Sequence, residues 1–401
     1  MRAIHAIRAT ALAAGLAGAS AVAAPAPADV LFCSEAERSC RPLPEEAAAP
    51  FVRAVRTVEA ELPAALRALL ELDAGTRRLP GSWSFAGAMV LADAAERPAY
   101  MLAGWMEADE LAEVRIAALF TLFRERDGRF RPRLIATFPR GPDDMPRWPS
   151  RIDAAALYGA KGPAILHLRL DSGGAETLLA VADHLVEFAP WPRITDLGRL
   201  GYVMGTLHDL DDRPPPELVF LDARWAQYYD DRLDAGPWVP MVSTVEDGRL
   251  VPACDRHPDL YRRRLDELEA EIRRGLADPA SILEEATASD PLPPSLPLRA
   301  RAVVAERITE RLLTALQVGW IAEAEADRRR LETFLRNGSA GERALVARIR
   351  ADLQPVMEAA RARTPCRLHG VEVGDVTSRV LYAEIPPAPA GPSPAPGSGD
   401  P

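Results

Sequence analysis

Residues 127–138, DGRFRPRLIATF, give the clearest indication of fold in this chain. Asp127-Gly128 is typical of a tight hairpin turn, because both residues tolerate the positive φ that such turns require. The residues that follow alternate between apolar and polar with the period of two of a half-buried strand. The apolar set is Phe130, Leu134, Ala136 and Phe138, and the polar set is Arg129, Arg131, Arg133 and Thr137. The stretch therefore predicts the second strand of a β-hairpin.

Strand patterns continue on both sides of this hairpin, and helical periodicity is nearly absent between residues 80 and 253. Residues 164–170 alternate in the same way, with His167 and Arg169 directed to solvent. Asp247-Gly248-Arg249 repeats the turn sequence found at residue 127. Recurring strands with similar turns are typical of a meander, a sandwich or a few propeller-like blades. The remaining strand candidates are residues 202–207, 217–221 and 239–245.

After Cys254 the apolar residues recur with the helical period of 3.6. The pattern predicts one helix between Pro258 and Pro279, a helical run over 308–335, and a last helix over 345–356. The middle run resembles one helical hairpin of the tetratricopeptide type, and an ordinary helical bundle is the alternative. The sequence thus predicts a helical region after the strands.

The expected fold class is α+β, with a predominantly antiparallel β domain (partial propeller-like or sandwich) followed by a helical region. Residues 51–72 add an amphipathic helix before the strands, which Pro63 kinks or splits. The predicted divisions are a signal peptide (1–23), an N-terminal disulfide loop and helix (24–79), a β-rich domain (80–253), a helical domain with a closing strand (254–385) and a disordered proline-rich tail (386–401).

Residues 1–23 have the pattern of a secretory signal peptide. Arg2 and Arg8 precede an uncharged, alanine-rich run at 9–19, and Ala21 and Ala23 form a small-residue cleavage site. The run is too short to cross a bilayer. We therefore expect a periplasmic or secreted protein with no membrane span.

The formal net charge is −10, and removal of the two arginines of the signal peptide leaves −12. An acidic chain of this kind has no reason to bind nucleic acid. The sequence contains no GxSxG, HExxH, phosphate-binding glycine loop or CxxCH haem motif. It therefore predicts no cofactor, identifies no catalytic residue, and favours a non-catalytic protein over an enzyme.

The chain has four cysteines: Cys33, Cys40, Cys254 and Cys366. An even count in an exported protein favours two disulfides. Cys33 and Cys40 are close enough in sequence to close a local loop, which leaves Cys254 with Cys366. The alternative is zinc, because Cys254-x-x-His257 and Cys366-x-x-His369 together supply a Cys2His2 ligand set.

The segment 208–218, HDLDDRPPPEL, is rich in carboxylates and ends at a predicted strand. A hard cation needs several oxygens converging from one tight loop. The segment resembles the calcium loop of FG-GAP or VCBS-type repeats, and this resemblance implies a secreted bacterial protein with degenerate β-repeats. The residues that match the family's acidic first, third and ninth positions are Asp209, Asp211 and Glu217. Arg213 and Pro214 replace a further acidic ligand and the turn glycine, so a metal-free structural loop is the alternative.

Four aromatic residues lie close together in sequence beside two acids. They are Trp225, Tyr228, Tyr229 and Trp238, with Asp230 and Asp231 between them. Aromatic faces beside carboxylates are suited to sugars, through stacking and hydrogen bonds to hydroxyls. The alternative is that the rings cover the end of a β core.

Five arginines flank the turn at residues 127–128. They are Arg124, Arg126, Arg129, Arg131 and Arg133. Such a group can engage an acidic partner or envelope polymer, and the alternative is an ordinary solvated strand face.

Together these observations predict an exported, non-catalytic interaction or binding module with an envelope protein partner. The alternative is a carbohydrate-active or other hydrolytic enzyme that uses the region Trp225–Trp238. The sequence predicts no particular oligomeric state.

Overall fold

The computed structural model describes residues 29–59, 83–107, 114–139, 151–159, 161–171, 181–211, 216–226, 228–229, 236–278, 296–363, 366–368 and 381. The predicted signal peptide, the proline-rich tail and the second half of the predicted helix at 51–72 lie outside these residues. So does the predicted closing strand, apart from Leu381. Among the described helices, none has the length and apolar character needed to cross a membrane.

The chain divides into two compact units. One unit consists of Met1–Ala223 and Pro240–His257, and the other of Arg224–Val239 and Pro258–Pro401. Antiparallel sheets come first and most of the helices lie in the C-terminal part. The predicted α+β class is therefore confirmed.

The described strands form three sheets. Their bounds are β1 (Asp29–Ser34), β2 (Ser39–Pro42), β3 (Trp83–Ala92), β4 (Pro98–Glu107), β5 (Val114–Arg124), β6 (Phe130–Phe138), β7 (Arg151–Leu157), β8 (Ile165–Asp171), β9 (Val181–Glu187), β10 (Arg193–Asp196), β11 (Tyr202–His208), β12 (Glu217–Asp222), β13 (Val239–Glu246) and β14 (Arg249–Pro252). The strand orders are β2-β1-β3-β4-β5-β6, β10-β9-β8-β7 and β11-β12-β13-β14.

Strands that follow one another in sequence are neighbours in all three sheets, with one exception. The exception is β2 and β3, because β1 lies between them. β1 pairs antiparallel with β2 but parallel with β3. The predicted hairpin is present, since Asp127-Gly128 connects β5 to β6 and Gly128 adopts a φ of 81°. Asp247-Gly248 makes the equivalent connection between β13 and β14.

The first sheet has a core on each face. Helix α1 (Glu45–Glu59) covers one face, where Phe51 stacks on Phe130 with 4.9 Å between ring centroids. The second sheet covers the other face, where Leu119 and Phe138 pack with Leu168 and other buried residues. Burial on both sides explains why β3, β4 and β5 are so rich in apolar residues.

The four other described helices follow one another in the second unit. They are α2 (Pro258–Ala277), α3 (Leu296–Gln317), α4 (Ile321–Arg336) and α5 (Ala340–Arg361). Pro258 suits the first turn of α2, where a missing N–H costs nothing. Gly319, with a φ of 78°, lies in the connection that makes the predicted run over 308–335 two separate helices. Each helix packs against the next, and the contact between α3 and α4 is the most extensive.

All four cysteines are oxidised. Cys33 and Cys40 form a disulfide on the facing strands β1 and β2. Cys254 and Cys366 are also disulfide-bonded, and no cysteine is free. The zinc alternative is therefore wrong, because a sulfur in a disulfide is not a thiolate ligand.

Three predicted orientations are wrong, and one of them is Leu134, which was expected on the apolar face of its strand but is 37% exposed. His167 was expected to face solvent, but it is 6% exposed because both faces of β8 are covered. Thr137 was also expected on the solvated face, but it is 1% exposed. The reason is an irregularity in the register between β5 and β6, at Leu119 and Phe120, which interrupts the alternation.

Candidate functional site

The acidic residues predicted at 208–218 come together in the structure. One carboxylate oxygen from each of Asp209, Asp211 and Glu217 lies within 4.8 Å of the other two. The first two side chains are exposed, whereas Glu217 is 5% exposed. Glu217 is the first residue of β12 and pairs with His208 at the end of β11, so the hairpin itself positions the cluster.

The two oxygens of the Glu217 carboxylate have different neighbours. Its Oε2 accepts a hydrogen bond from the backbone N–H of Leu210 at 3.0 Å. Its Oε1 lies 3.6 Å from Nε2 of His257, which the sequence did not connect with this loop. His257 follows a short 3-10 turn at Cys254–Arg256, and its N–H donates to the carbonyl of Cys254.

A second histidine lies beside the cluster. His208 Nε2 is 2.8 Å from the hydroxyl oxygen of Thr206, two residues earlier on β11. Burial lowers the pKa of His208, because an imidazolium is poorly solvated there. The neutral imidazole is therefore favoured beside these carboxylates.

The aromatic residues proposed for sugar binding are in the core of the second unit. Trp225, Tyr228, Tyr229 and Trp238 are each 5% exposed or less. The Tyr228 ring packs edge to face with the rings of Trp225 and Tyr229, and the Tyr228 hydroxyl donates to Asp352 at 2.7 Å. Burial raises the pKa of Tyr229. Asp230 and Asp231 lie outside the described residues. The described rings offer no open face to a sugar, which favours the core interpretation.

The arginines around the β5–β6 turn are all exposed to solvent. Phe123, which directly faces Arg131 across the hairpin, is also 50% exposed. Arg129 is paired with Asp127 within the turn, and this hydrogen-bonded ion pair lowers the pKa of Asp127. The described residues form no ion pair with the other four arginines, which are Arg124, Arg126, Arg131 and Arg133. The hairpin thus presents cations and one large apolar ring to solvent.

Sequence reasoning missed a buried polar connection between three strands. Nε2 of His167 on β8 is 2.7 Å from Oδ1 of Asp183 on β9. Oδ2 of Asp183 accepts the backbone N–H of Gly205 on β11 at 3.1 Å. A Cβ on Gly205 would lie 2.9 Å from the imidazole, so only glycine fits there without rearrangement. His184 is fully buried and packs on Phe138.

Comparison of the chain with protein-family models, with curated proteins and with solved structures found no match. The interpretation of function therefore rests on the residues and their geometry.

Proposed function

We propose that this chain is an exported, non-catalytic binding module, and that it holds an acidic envelope partner through the β5–β6 hairpin. The observation that carries this proposal is the exposed, cationic and partly apolar face of that hairpin. The pattern of residues 1–23 and the disulfides support export, because disulfides persist in oxidising compartments.

The hairpin has the opposite charge to the chain as a whole. Residues 121–133 contain five arginines and two acids, a local charge of +3, whereas the chain has a net charge of −10. A compact positive region on a negative molecule orients an acidic partner during its approach. The attraction acts over about 10 Å at 0.1 M salt, so it decreases as salt rises.

Strand register places the main contact residues on one face. Arg131 lies opposite Phe123, and Arg133 lies opposite Thr121. Residues directly opposite one another on an antiparallel pair share a face, so both arginines lie on the same face of the hairpin as Phe123. Arginine is a frequent hot-spot residue in protein interfaces, because its planar guanidinium group can donate two parallel hydrogen bonds to one carboxylate.

Arginines on β6 also have a structural role. β6 is the last strand of its sheet, and charged side chains on an edge strand discourage pairing with other chains. Edge protection does not require Phe123 to be 50% exposed beside them. A ring on the same face as these arginines would add an apolar contact for a molecule that covers this surface.

The experiment compares two charge-reversed variants of the mature protein. The hairpin variant is Arg131→Glu with Arg133→Glu, and the control is Arg263→Glu with Arg329→Glu, two exposed arginines on α2 and α4. The readouts are binding to poly-L-glutamate at several salt concentrations and recovery of a stoichiometric partner from crosslinked cell envelope.

We expect the hairpin variant to lose about tenfold or more in affinity for poly-L-glutamate, while the control stays close to wild type. The same variant should lose the envelope partner that the wild type and the control recover. Equal binding and equal recovery by all three proteins would refute the proposal. No observation on the described residues favours the carbohydrate-active alternative, because its aromatic residues are buried.

A further inference from the structure

The turn between β9 and β10 presents a large aromatic ring to solvent. Trp191 is 79% exposed, which is the highest value among the large apolar side chains of the described residues. Prolines stand on both sides of it, at positions 190 and 192. Each proline fixes its own φ, and the residue before a proline is restricted as well. The ring therefore sits on a backbone that has little conformational freedom to lose when a partner binds.

The same turn carries a cation. Arg193 is the first residue of β10, is exposed, and forms no ion pair with any residue that the structure describes. The β5–β6 hairpin has the same combination, because Phe123 is 50% exposed and shares its face with Arg131 and Arg133. Two turns of the first unit thus each present an aromatic ring together with arginine.

A ring contact connects the segment before Trp191 to the sheet that contains the hairpin. Phe188 packs against Tyr100 of β4, with 4.5 Å between the ring centroids. Tyr100 pairs with Thr121 of β5, and Thr121 pairs with Arg133 of β6. Directly paired residues share a face of a sheet, so Phe188 packs on the face that carries Arg133.

Both exposed rings lie just beyond this contact. On β5, Leu119 is fully buried, whereas Phe123, four residues later on the same face, is 50% exposed. After β9, Phe188 is 7% exposed and Trp191 is 79% exposed, although the three residues between these positions span at most about 10 Å. The two rings therefore mark the border at which one face of the first sheet emerges from the core.

We propose that Phe123 and Trp191 belong to one contact surface with Arg131, Arg133 and Arg193, and that its partner is an acidic protein segment with aromatic side chains among its carboxylates. This inference rests on the proposed function and narrows the class of partner. Cations alone attract any polyanion. The exposed rings contribute to binding only where the partner offers apolar area to cover them, and tryptophan is among the side chains that most often dominate an interface.

The charge of the chain favours a protein segment over a lipid surface as the partner. Aromatic rings and cationic side chains also occur where proteins contact anionic lipid. The chain has a net charge of −10, so an extended anionic membrane repels the acidic remainder of the molecule. A narrow acidic segment contacts the cationic surface alone.

The test uses two acidic polymers as probes, poly-L-glutamate and a random copolymer of glutamate and tyrosine with the same number of carboxylates. The proteins are the mature wild type, Trp191→Ala, the conservative variant Trp191→Phe, and Phe123→Ala. The control is Leu200→Ala, because Leu200 is 47% exposed and follows the opposite end of β10 from Trp191. The readout is the ratio of the affinities for the two labelled polymers, measured by fluorescence anisotropy, since this ratio removes the charge attraction that both polymers share.

We expect the wild type to bind the copolymer at least about fivefold more tightly than poly-L-glutamate. Trp191→Ala and Phe123→Ala should each reduce this ratio by about half or more, Trp191→Phe should retain most of it, and Leu200→Ala should match the wild type. A wild-type ratio close to one, or a ratio that Trp191→Ala leaves unchanged, overturns the inference. Binding to phosphatidylglycerol vesicles that depends on Trp191 and exceeds binding to the copolymer also overturns it.

The result separates this inference from the proposed function. The variant with Arg131→Glu and Arg133→Glu tests the function with poly-L-glutamate, which has no aromatic side chains. If that variant loses poly-L-glutamate while Trp191→Ala keeps the wild-type ratio, the proposed function stands and the inference falls. If the wild type binds neither polymer, both fall. If Trp191→Ala fails to fold, Phe123→Ala decides the result.

Discussion

Asp183→Ala is the substitution that most directly tests the buried connection between three strands. Asp183 is fully buried, and it accepts hydrogen bonds from the His167 imidazole and from the N–H of Gly205. Alanine removes both acceptors and leaves two buried donors without partners. Each such donor costs about 1–3 kcal/mol, so we expect the free energy of unfolding of the first unit to fall by about 2–6 kcal/mol.

Native-state hydrogen exchange is the appropriate assay, because it reports the first unit separately from the second. The amide of Gly205 should exchange much faster in the variant, together with amides of β8 and β9. Asp153→Ala is the matched control, since Asp153 lies on the same sheet but is 44% exposed, and its loss should cost under about 0.5 kcal/mol. A loss below about 1 kcal/mol for Asp183→Ala would contradict the reasoning.

Three further outcomes are expected. Replacing Cys33 and Cys40 together by serine should lower the free energy of unfolding by about 2–3 kcal/mol in urea titrations, from the entropy of a loop with a sequence separation of 7. An unchanged midpoint would contradict this. Ser339→Ala removes the N-terminal cap of α5 and should lower the free energy of unfolding by about 1 kcal/mol in thermal unfolding. An unchanged melting temperature would contradict the role of this cap. The Arg350 guanidinium lowers the pKa of Glu332 below its usual 4.5, so Glu332 stabilises the fold above that pH and loses its effect as the pH falls through the lowered pKa. Glu332→Gln should therefore flatten the acid limb of a stability–pH curve, and an unaltered limb would argue against the pair.

Elements with strong local patterns were predictable from the sequence. The alternation after Asp127-Gly128 predicted β6, and the prolines at 258 and 279 predicted the bounds of α2 within two residues. These features depend on local periodicity and turn chemistry, which need no knowledge of the rest of the chain.

Orientation within the layers was harder to predict. Alternation identifies the buried face of a strand only when the other face is solvated. β8 is covered on both faces, so His167 is buried although its neighbours in sequence suggested exposure. Its partners on β9 and β11 are set by sheet packing, which local sequence does not encode.

The candidate site was partly predictable. The spacing of Asp209, Asp211 and Glu217 indicated a cluster, and the structure brings the three together. Nothing in the sequence linked His257 to that loop, since its only pattern was the spacing from Cys254 that suggested a zinc site. The fold, not the motif, brings His257 next to Glu217.

The order of strands in the sheets has a consequence for how the chain folds. Strands of the second and third sheets pair with partners that follow within a few tens of residues, so these sheets form from local contacts as the chain emerges. β1 is different, because its parallel partner β3 begins at residue 83, well after the β1–β2 hairpin has been completed. The first hairpin therefore joins its sheet only when a later segment is available, and this pairing closes a longer loop than the hairpin connections between consecutive strands do.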